Sequence, residues 1–300
     1  MTVTVRRAVE DDLRKVYLLL RDSTLNSAWI PFEWRRRMFQ PVWGGQEGYY
    51  GYVMEDGDEV VGFLGTLFTE REVAGKPHKF CEIHSWYVKE DYRNESMKLF
   101  LPVMSVRKAT LLNYTPTQTV YDISKKFGWE DLETKVRQFL PVPTARGLGR
   151  GLRVETRKHV IAQHLDEADR KVFLDHEDLR CRHFLITRKG STDYLYVVVK
   201  KLRLGRFVPF GRILYASDPA KLLAAIDHLR LAWCLRLGLA FVVMDDGALQ
   251  GAIRAAGREP SFTRVVTREV PSLFKSKDLD PDDLRSALYT LPLLIGYRLH

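Results

Sequence analysis

Glu82-Ile83-His84-Ser85-Trp86-Tyr87-Val88-Lys89-Glu90-Asp91-Tyr92-Arg93-Asn94-Glu95-Ser96-Met97-Lys98-Leu99-Phe100-Leu101 is the stretch that decides the fold. Residues 78–88 are rich in β-branched and aromatic side chains and read as a strand. Met97 to Lys108 reads as a helix, in which Pro102 is admissible only near the start or at a kink. Between them lies a polar turn opening directly into the helix. Backbone N–H groups at such a start converge on one spot, and the helix dipole there favours an anion.

Working outward, Val3, Val5 and Arg7 alternate as a strand, and Glu10-Asp11-Asp12 opens a segment with Leu13, Val16, Tyr17 and Leu20 at helical spacing. Asn26 to Trp43 is an aromatic helical or loop region; its rings read equally as core or as the wall of an acceptor pocket. Tyr49 to Glu55, Glu59 to Thr69 and His78 to Val88 predict three antiparallel strands, with turn signals at Asp56-Gly57-Asp58 and Gly75-Lys76-Pro77. A short strand, Thr110 to Tyr114, and a helix, Gln118 to Phe127, stopped by Gly128, complete the first half.

Pro141 to Gly151, with Pro143, Gly147 and Gly149, carries the clearest linker signal. It predicts domains at 1–143 and 153–300 joined by 144–152, as the length of 300 residues also favours. Beyond it, Tyr194 to Leu202 and Arg212 to Ala216 read as strands. Pro219 to Leu237 is a strong amphipathic helix capped by Ser217-Asp218, and Leu239 to Asp245 is a buried strand. The second half repeats the element order of the first.

The order of residues 3–140 resembles the GNAT acyltransferase superfamily, whose fourth strand leads into a basic, glycine-rich turn and a helix. That resemblance implies an α+β fold, α/β sandwich-like: tandem GNAT-like domains, each a mixed, mostly antiparallel sheet flanked by helices. It also implies acetyl-CoA or another acyl-CoA as co-substrate. The CoA pyrophosphate would sit on Arg93, Asn94, Glu95, Ser96, Met97 and Lys98, and the pantetheine would pair like an added strand with Tyr87 and Val88. The turn departs from the family pattern, with Asn94, Ser96 and Lys98 in glycine or alanine places. This glycine-poor version resembles two-domain acyltransferases associated with exopolysaccharide synthesis. The second half, with Asp218 where phosphate would bind, reads as a degenerate copy; Phe207, Phe210 and Arg212 are its candidate contributions to an acceptor site.

Acyl transfer needs a base for the acceptor and an acid for the departing thiolate. Glu82 lies six residues before Val88, the offset of the general base in some family members. By strand alternation it shares a face with His84 and Trp86, while Cys81 faces away. Glu82 and His84 are therefore the basic candidates, against the plainer reading of a partly solvated strand face. The family's asparagine and tyrosine places hold Thr117 and Ser124 instead, which leaves Tyr121 as the candidate acid. No nucleophile elbow, P-loop or dinucleotide fingerprint occurs, so direct transfer is expected.

At 45% hydrophobic and 28% charged residues the composition is that of a globular protein, and no apolar run approaches the about 20 residues of a membrane span. Without an amino-terminal signal core, and with three widely spaced cysteines, the reading is cytoplasmic, with no metal site. The net charge of +9 favours acidic partners. Its densest clusters, Arg35-Arg36-Arg37 and Arg146 to Arg153, lack interleaved aromatics, which argues for solvated faces and against nucleic acid. The expected function is an N- or O-acyltransferase acting on a small amine, sugar, glycan or peptide acceptor. The alternative is a non-catalytic acyl-CoA-binding or assembly protein of a polysaccharide pathway.

Overall fold

The computed structural model describes residues 3–25, 27–40, 42–45, 47–144, 151–204, 207–285 and 288–296. The core of the expected linker, 145–150, and with it most of the Arg146 to Arg153 cluster, lies outside the described residues. In chain order the first half comprises β1 (Thr4–Arg7), α1 (Leu13–Arg21), α2 (Phe32–Arg35), β2 (Gly51–Asp56), β3 (Glu59–Val73), β4 (Lys76–Val88), α3 (Met97–Met104), β5 (Thr110–Asn113), α4 (Gln118–Lys126) and β6 (Glu130–Phe139). The second comprises β7 (Leu152–Glu155), α5 (Lys158–His164), α6 (Glu167–His176), β8 (Arg182–Arg188), β9 (Tyr194–Leu204), β10 (Val208–Ala216), α7 (Pro219–Leu237), β11 (Phe241–Asp245), α8 (Gly247–Ala256), β12 (Thr263–Lys275), α9 (Pro281–Leu284) and α10 (Leu291–Leu294).

Two compact units emerge, and they interleave along the chain instead of dividing at 143/153. The first holds Met1–Asp131, Ser272–Asp283 and Tyr289–Tyr297; the second holds Leu132–Pro271, Leu284–Leu288 and Arg298–His300. The strand after α4 thus joins the second unit's sheet, pairing antiparallel with β11 from Val242↔Phe139 to Asp245↔Val136. The end of β12 joins the first unit's sheet, pairing antiparallel with β5 at Leu273↔Asn113, Phe274↔Leu112 and Lys275↔Leu111. β6 and β12 are not among the strands read from the sequence, and pairing partners far apart in sequence are chosen only in three dimensions.

In the first unit β1, β2, β3 and β4 form an antiparallel meander, and β5 lies parallel beside β4. One sheet face packs Cys81, Ile83 and Val88 against Leu99, Phe100 and Val103 of α3, with Tyr121 and Ile123 of α4 at its margin. The other packs Val53, Phe63 and Leu67 against Val16, Leu19 and Leu20 of α1 and against Leu291, Leu294 and Ile295 at the carboxy-terminal end. The acidic start of α1 has a specific role: Asp12 takes two hydrogen bonds from Arg6, each 2.7 Å, and one from the Val9 N–H at 2.9 Å. Those donors outweigh the cost of burial and hold its pKa below the ordinary carboxylate range. α3 keeps Pro102 within it and ends at Met104, short of the expected Lys108.

In the second unit β8, β9 and β10 form a meander edged by β7, with β11 parallel to β10. α7 begins as its sequence dictates: Asp218 accepts from the N–H groups of Ala220 (2.8 Å) and Lys221 (2.9 Å), Pro219 follows, and Gly238 at φ 61° ends it. Its Leu222, Ile226, Leu229 and Trp233 are buried against Val197, Val199 and Val242. Trp233→Ala is expected to cost about 3–5 kcal/mol, because the cavity cannot collapse within so dense a cluster. Urea unfolding measures it, and a loss below about 1 kcal/mol contradicts the packing assigned to α7.

Candidate active site

The site is organised by an interruption in β4. Its pairing with β3 runs regularly from Val73↔Lys76 to Gly65↔His84, then slips, so that Phe63 next opposes Tyr87. One residue of β3, Leu64, therefore faces two of β4, a bulge at Ser85 and Trp86, with Ser85 at φ 51°. The extra residue reverses the alternation. Glu82 and His84 share a face as expected, but Trp86 does not join them: it stacks on Phe100 at 5.0 Å on the α3 side, with Cys81, Ile83 and Val88. Tyr87 takes its place on the Glu82 face. A bulge has no signature in hydrophobic periodicity, which is why strict alternation misplaced Trp86.

The second interruption lies on the other edge of β4. Parallel pairing with β5 covers only Phe80↔Thr110, Cys81↔Leu111 and Glu82↔Leu112. β4 runs on to Val88 while β5 ends at Asn113. Among the described residues, the β5-facing backbone of Ile83 to Val88 thus has no strand partner.

Glu82 sits where this edge begins. It is 3% exposed, and its Oε2 accepts a 2.7 Å hydrogen bond from the backbone N–H of Leu291 at the start of α10. Burial pushes its pKa up to about 8, against the smaller opposing effects of that N–H and of Arg71. His84 lies beside it with both ring nitrogens buried and without hydrogen-bond partners. Burial, with help from Arg35, pushes its pKa down to about 3, so the imidazole is neutral at physiological pH and cannot store a proton there. Gly65 makes room for this ring: a Cβ at position 65 would lie 2.0 Å from its Cε1.

Two arginines complete the surroundings, and only one had been singled out in the sequence. Arg35, read as part of a solvated cluster, is 2% exposed and donates to the Ser27 carbonyl at 2.6 Å and hydroxyl at 3.1 Å. Its place among Trp29, Phe32, Trp34 and Phe39 was the available signal of burial. Arg71 stacks over Phe80 at 3.8 Å and reaches Tyr289 at 5.4 Å. Arg37, in turn, stacks on Trp34 and donates to the Leu294 carbonyl at 3.1 Å.

The turn after β4 is helical throughout. A 3-10 helix spans Glu90–Glu95 and runs straight into α3. N–H groups of Tyr92, Ser96 and Leu99 are committed to the carbonyls of Lys89, Arg93 and Ser96. Arg93 lies 3.7 Å from Glu90, and Lys98 pairs with Glu95 at 2.8 Å, all four side chains being solvent-facing. Ser96 makes no side-chain cap. Asn94 and Met97 flank the same segment.

Of the remaining candidates, Tyr121 donates its hydroxyl to Asp131 at 2.9 Å on the α3 and α4 side of the sheet. Ser124 is fully buried, and Thr117 caps α4 through the Val120 N–H. In the second unit the third parallel pair, Arg212↔Val243, stands in the register place that Glu82↔Leu112 holds in the first. Arg212 there is buried and bound to Asp245 at 2.7 and 2.9 Å; Phe210 is buried and stacked on Phe241, whereas Phe207 projects into solvent.

Residues 13–96 match the family model described as the acetyltransferase (GNAT) family. The matched stretch runs from the start of α1 to the turn between β4 and α3. Among solved structures, it is similar to a GCN5-related N-acetyltransferase from Anabaena variabilis (TM-score 0.56, 13% identity, covering 91% of this chain and 72% of that one). It is similar also to a GCN5-related N-acetyltransferase from Kribbella flavida (0.57, 14%, 91% and 70%) and to a probable N-acyltransferase from Enterococcus faecalis V583 (0.57, 10%, 91% and 72%). At these identities the likeness is one of fold. No curated protein matches the sequence. Among the described residues, no helix is long and apolar enough to cross a membrane.

Two expectations follow from this geometry. Gly65→Ala is expected to destabilise by about 1–3 kcal/mol through collision with His84, and His84→Ala in the same chain to restore most of that loss. Equal losses in the single and double variants, by urea unfolding, contradict the contact. Because the folded-state pKa of Glu82 lies above its ordinary value, its contribution to stability is intact below about pH 4.5 and is lost as pH rises through about 8. Glu82→Gln removes that loss, so the melting temperature of the variant relative to the parent is expected to rise between pH 5 and pH 9.

Proposed function

We propose that this protein is an acyl-CoA-dependent acyltransferase that moves acetyl or another short acyl group directly to an amine or hydroxyl of a small or glycan acceptor. The observation that carries the reading is the coincidence, on one strand, of an unpaired backbone edge from Ile83 to Val88 and a buried carboxyl, Glu82, with a pKa near 8. The open edge offers N–H and C=O groups at the spacing an extended pantetheine arm needs. Arg93 and Lys98 would reach the pyrophosphate by turning from Glu90 and Glu95, with Asn94, Ser96 and Met97 lining the same start of α3. Tyr87 and Val88 would border the thioester.

Glu82 accepts the proton of the acceptor amine or hydroxyl as its N or O bonds to the acyl carbon and the carbon–sulfur bond breaks. With the Tyr121 hydroxyl given to Asp131, the proton taken up by Glu82 is the one available to the departing thiolate. Tyr121 serves as acid only if it leaves Asp131. Neutral His84 contributes a hydrogen-bond acceptor that orients the nucleophile. The second unit, with Arg212 at the register place of the base and Asp218 closing the start of its main helix, acts as a non-catalytic copy.

One observation favours the second reading, a binding or assembly protein without turnover: the N–H groups of the turn are spent within the 3-10 and α-helical path, and Leu291 covers Glu82. Isothermal titration with acetyl-CoA and turnover across amine, sugar and peptide acceptors separate the two. On the catalytic reading, kcat/KM rises with pH through about 8, and Glu82→Gln lowers kcat by about 10²–10⁴ and abolishes that rise. Tight CoA binding with no turnover in either protein would favour the second reading.

A further inference from the structure

The second unit contains a cavity of about 540 Å³ that the acyl-transfer reading does not use. It opens where β7 leaves β8. Their pairing ends at Glu155↔Leu185, so Arg182, His183 and Phe184 continue without β7 beside them. Lys158, Arg182 and Arg236 stand on its wall, Thr156 adds a hydroxyl, and no carboxylate lines it. Among the described residues none of the three cations is in an ion pair; Lys158 donates only to the Glu177 carbonyl. Val154, Phe184 and Leu237 supply an apolar side.

Two buried nitrogens point to the same chemistry. His183 is 4% exposed and lines the cavity; its Nδ1 lies 2.7 Å from the Tyr196 hydroxyl, whereas Nε2 has no hydrogen-bond partner. With Tyr196 donating to Nδ1, Nε2 carries the hydrogen, and the His176 carbonyl acts on the ring only as a weak acceptor. Burial holds the ring neutral, with a pKa of about 4; the His176 carbonyl is the smallest of the influences on it. Lys200, also 4% exposed, has no partner for its Nζ, and its field acts on Cys181, a wall residue. Since Val198 pairs with His183, Lys200 lies on the same face of β8 and β9 as that ring. An unpaired buried ammonium is costly unless an anion compensates it.

The cavity of the first unit differs in carrying a carboxylate, Glu47, on its wall. This cavity, of about 400 Å³, also holds cations, but Lys79 pairs there with Glu47 and Arg7 stacks on Tyr49.

We propose that the cavity of the second unit binds a small organic anion, a phosphate or carboxylate carried on an apolar or aromatic body. Arg182, Arg236 and Lys158 draw in the oxyanion, the His183 Nε2–H and Thr156 hydroxyl orient it, and Phe184 and Leu237 cover the body. Charge-assisted contacts of this kind supply most of the affinity.

Titration calorimetry on the full chain with phenyl phosphate, benzoate, inorganic phosphate and, as a neutral control, benzyl alcohol tests this. Saturable one-site binding of phenyl phosphate or benzoate is expected, identifying which oxyanion is preferred, with inorganic phosphate weaker and benzyl alcohol silent. Arg182→Gln with Arg236→Gln, both on the surface, should weaken it by at least about tenfold without changing the unfolding midpoint, while Arg93→Gln leaves it unchanged. In NMR spectra one histidine ring signal should shift on binding and be missing in His183→Asn. Absence of saturable binding, equal binding by the double arginine variant, or binding that leaves the His183 signal unmoved would overturn the proposal.

Discussion

The bulge at Ser85 and Trp86 sets the terms for the first unit. One extra residue in β4 sends Trp86 to the α3 side, where it stacks on Phe100, and sends Tyr87 to the side of Glu82 and His84. It also increases the local twist, as bulges do, just beyond the point where β5 stops following β4. A free strand edge on the β5 side and a change of face on the β3 side thus fall within the same few residues. Ser85 adopts a left-handed backbone to make it, at a cost of the order of 1–3 kcal/mol that the packed faces on either side must outweigh.

Glu82 draws its properties from residues more than two hundred positions away. The carboxy-terminal segment from Tyr289 to Ile295 packs over it, excludes water and presents a single N–H. One hydrogen bond does not offset full desolvation, so the carboxyl titrates well above the ordinary carboxylate range. His84, equally desolvated but without any donor or carboxylate partner, moves the other way and becomes a permanently neutral ring. Two neighbours on one strand shift in opposite directions under the same burial because their charged forms carry opposite signs.

The two strand-turn-helix segments differ in the charges at the start of their helices. In the first unit the turn lacks glycine but leaves Arg93 and Lys98 in solvent-facing pairs. In the second, Asp218 satisfies the first N–H groups of α7 and places a carboxylate where an anion would have to sit. The register place of Glu82 is taken there by Arg212, locked to Asp245. Lys158, Arg182, Arg236 and the buried His183 line a cavity at the edge of β8 instead.

The sequence by itself determined the strands and helices from Val3 to Phe127 and from Tyr194 to Asp245, though not β6, β7, β8 or β12, together with the caps and stops of α7, the strand carrying Glu82 and His84 on one face, and the resemblance of that strand and its turn to the GNAT pattern. These are local matters of periodicity, propensity and capping, written within a few residues. What tertiary structure alone decided were features that depend on distant partners. Slippage of β4 against β3 moved Trp86, and aromatic neighbours buried Arg35 out of a run of three arginines. Exchange of β6 and β12 drew compact units that do not follow the proline and glycine signal at 141–151. Burial raised the pKa of Glu82 against the opposing N–H of Leu291. Strand pairing, burial and desolvation are sums over the folded neighbourhood, and no window of sequence contains that neighbourhood.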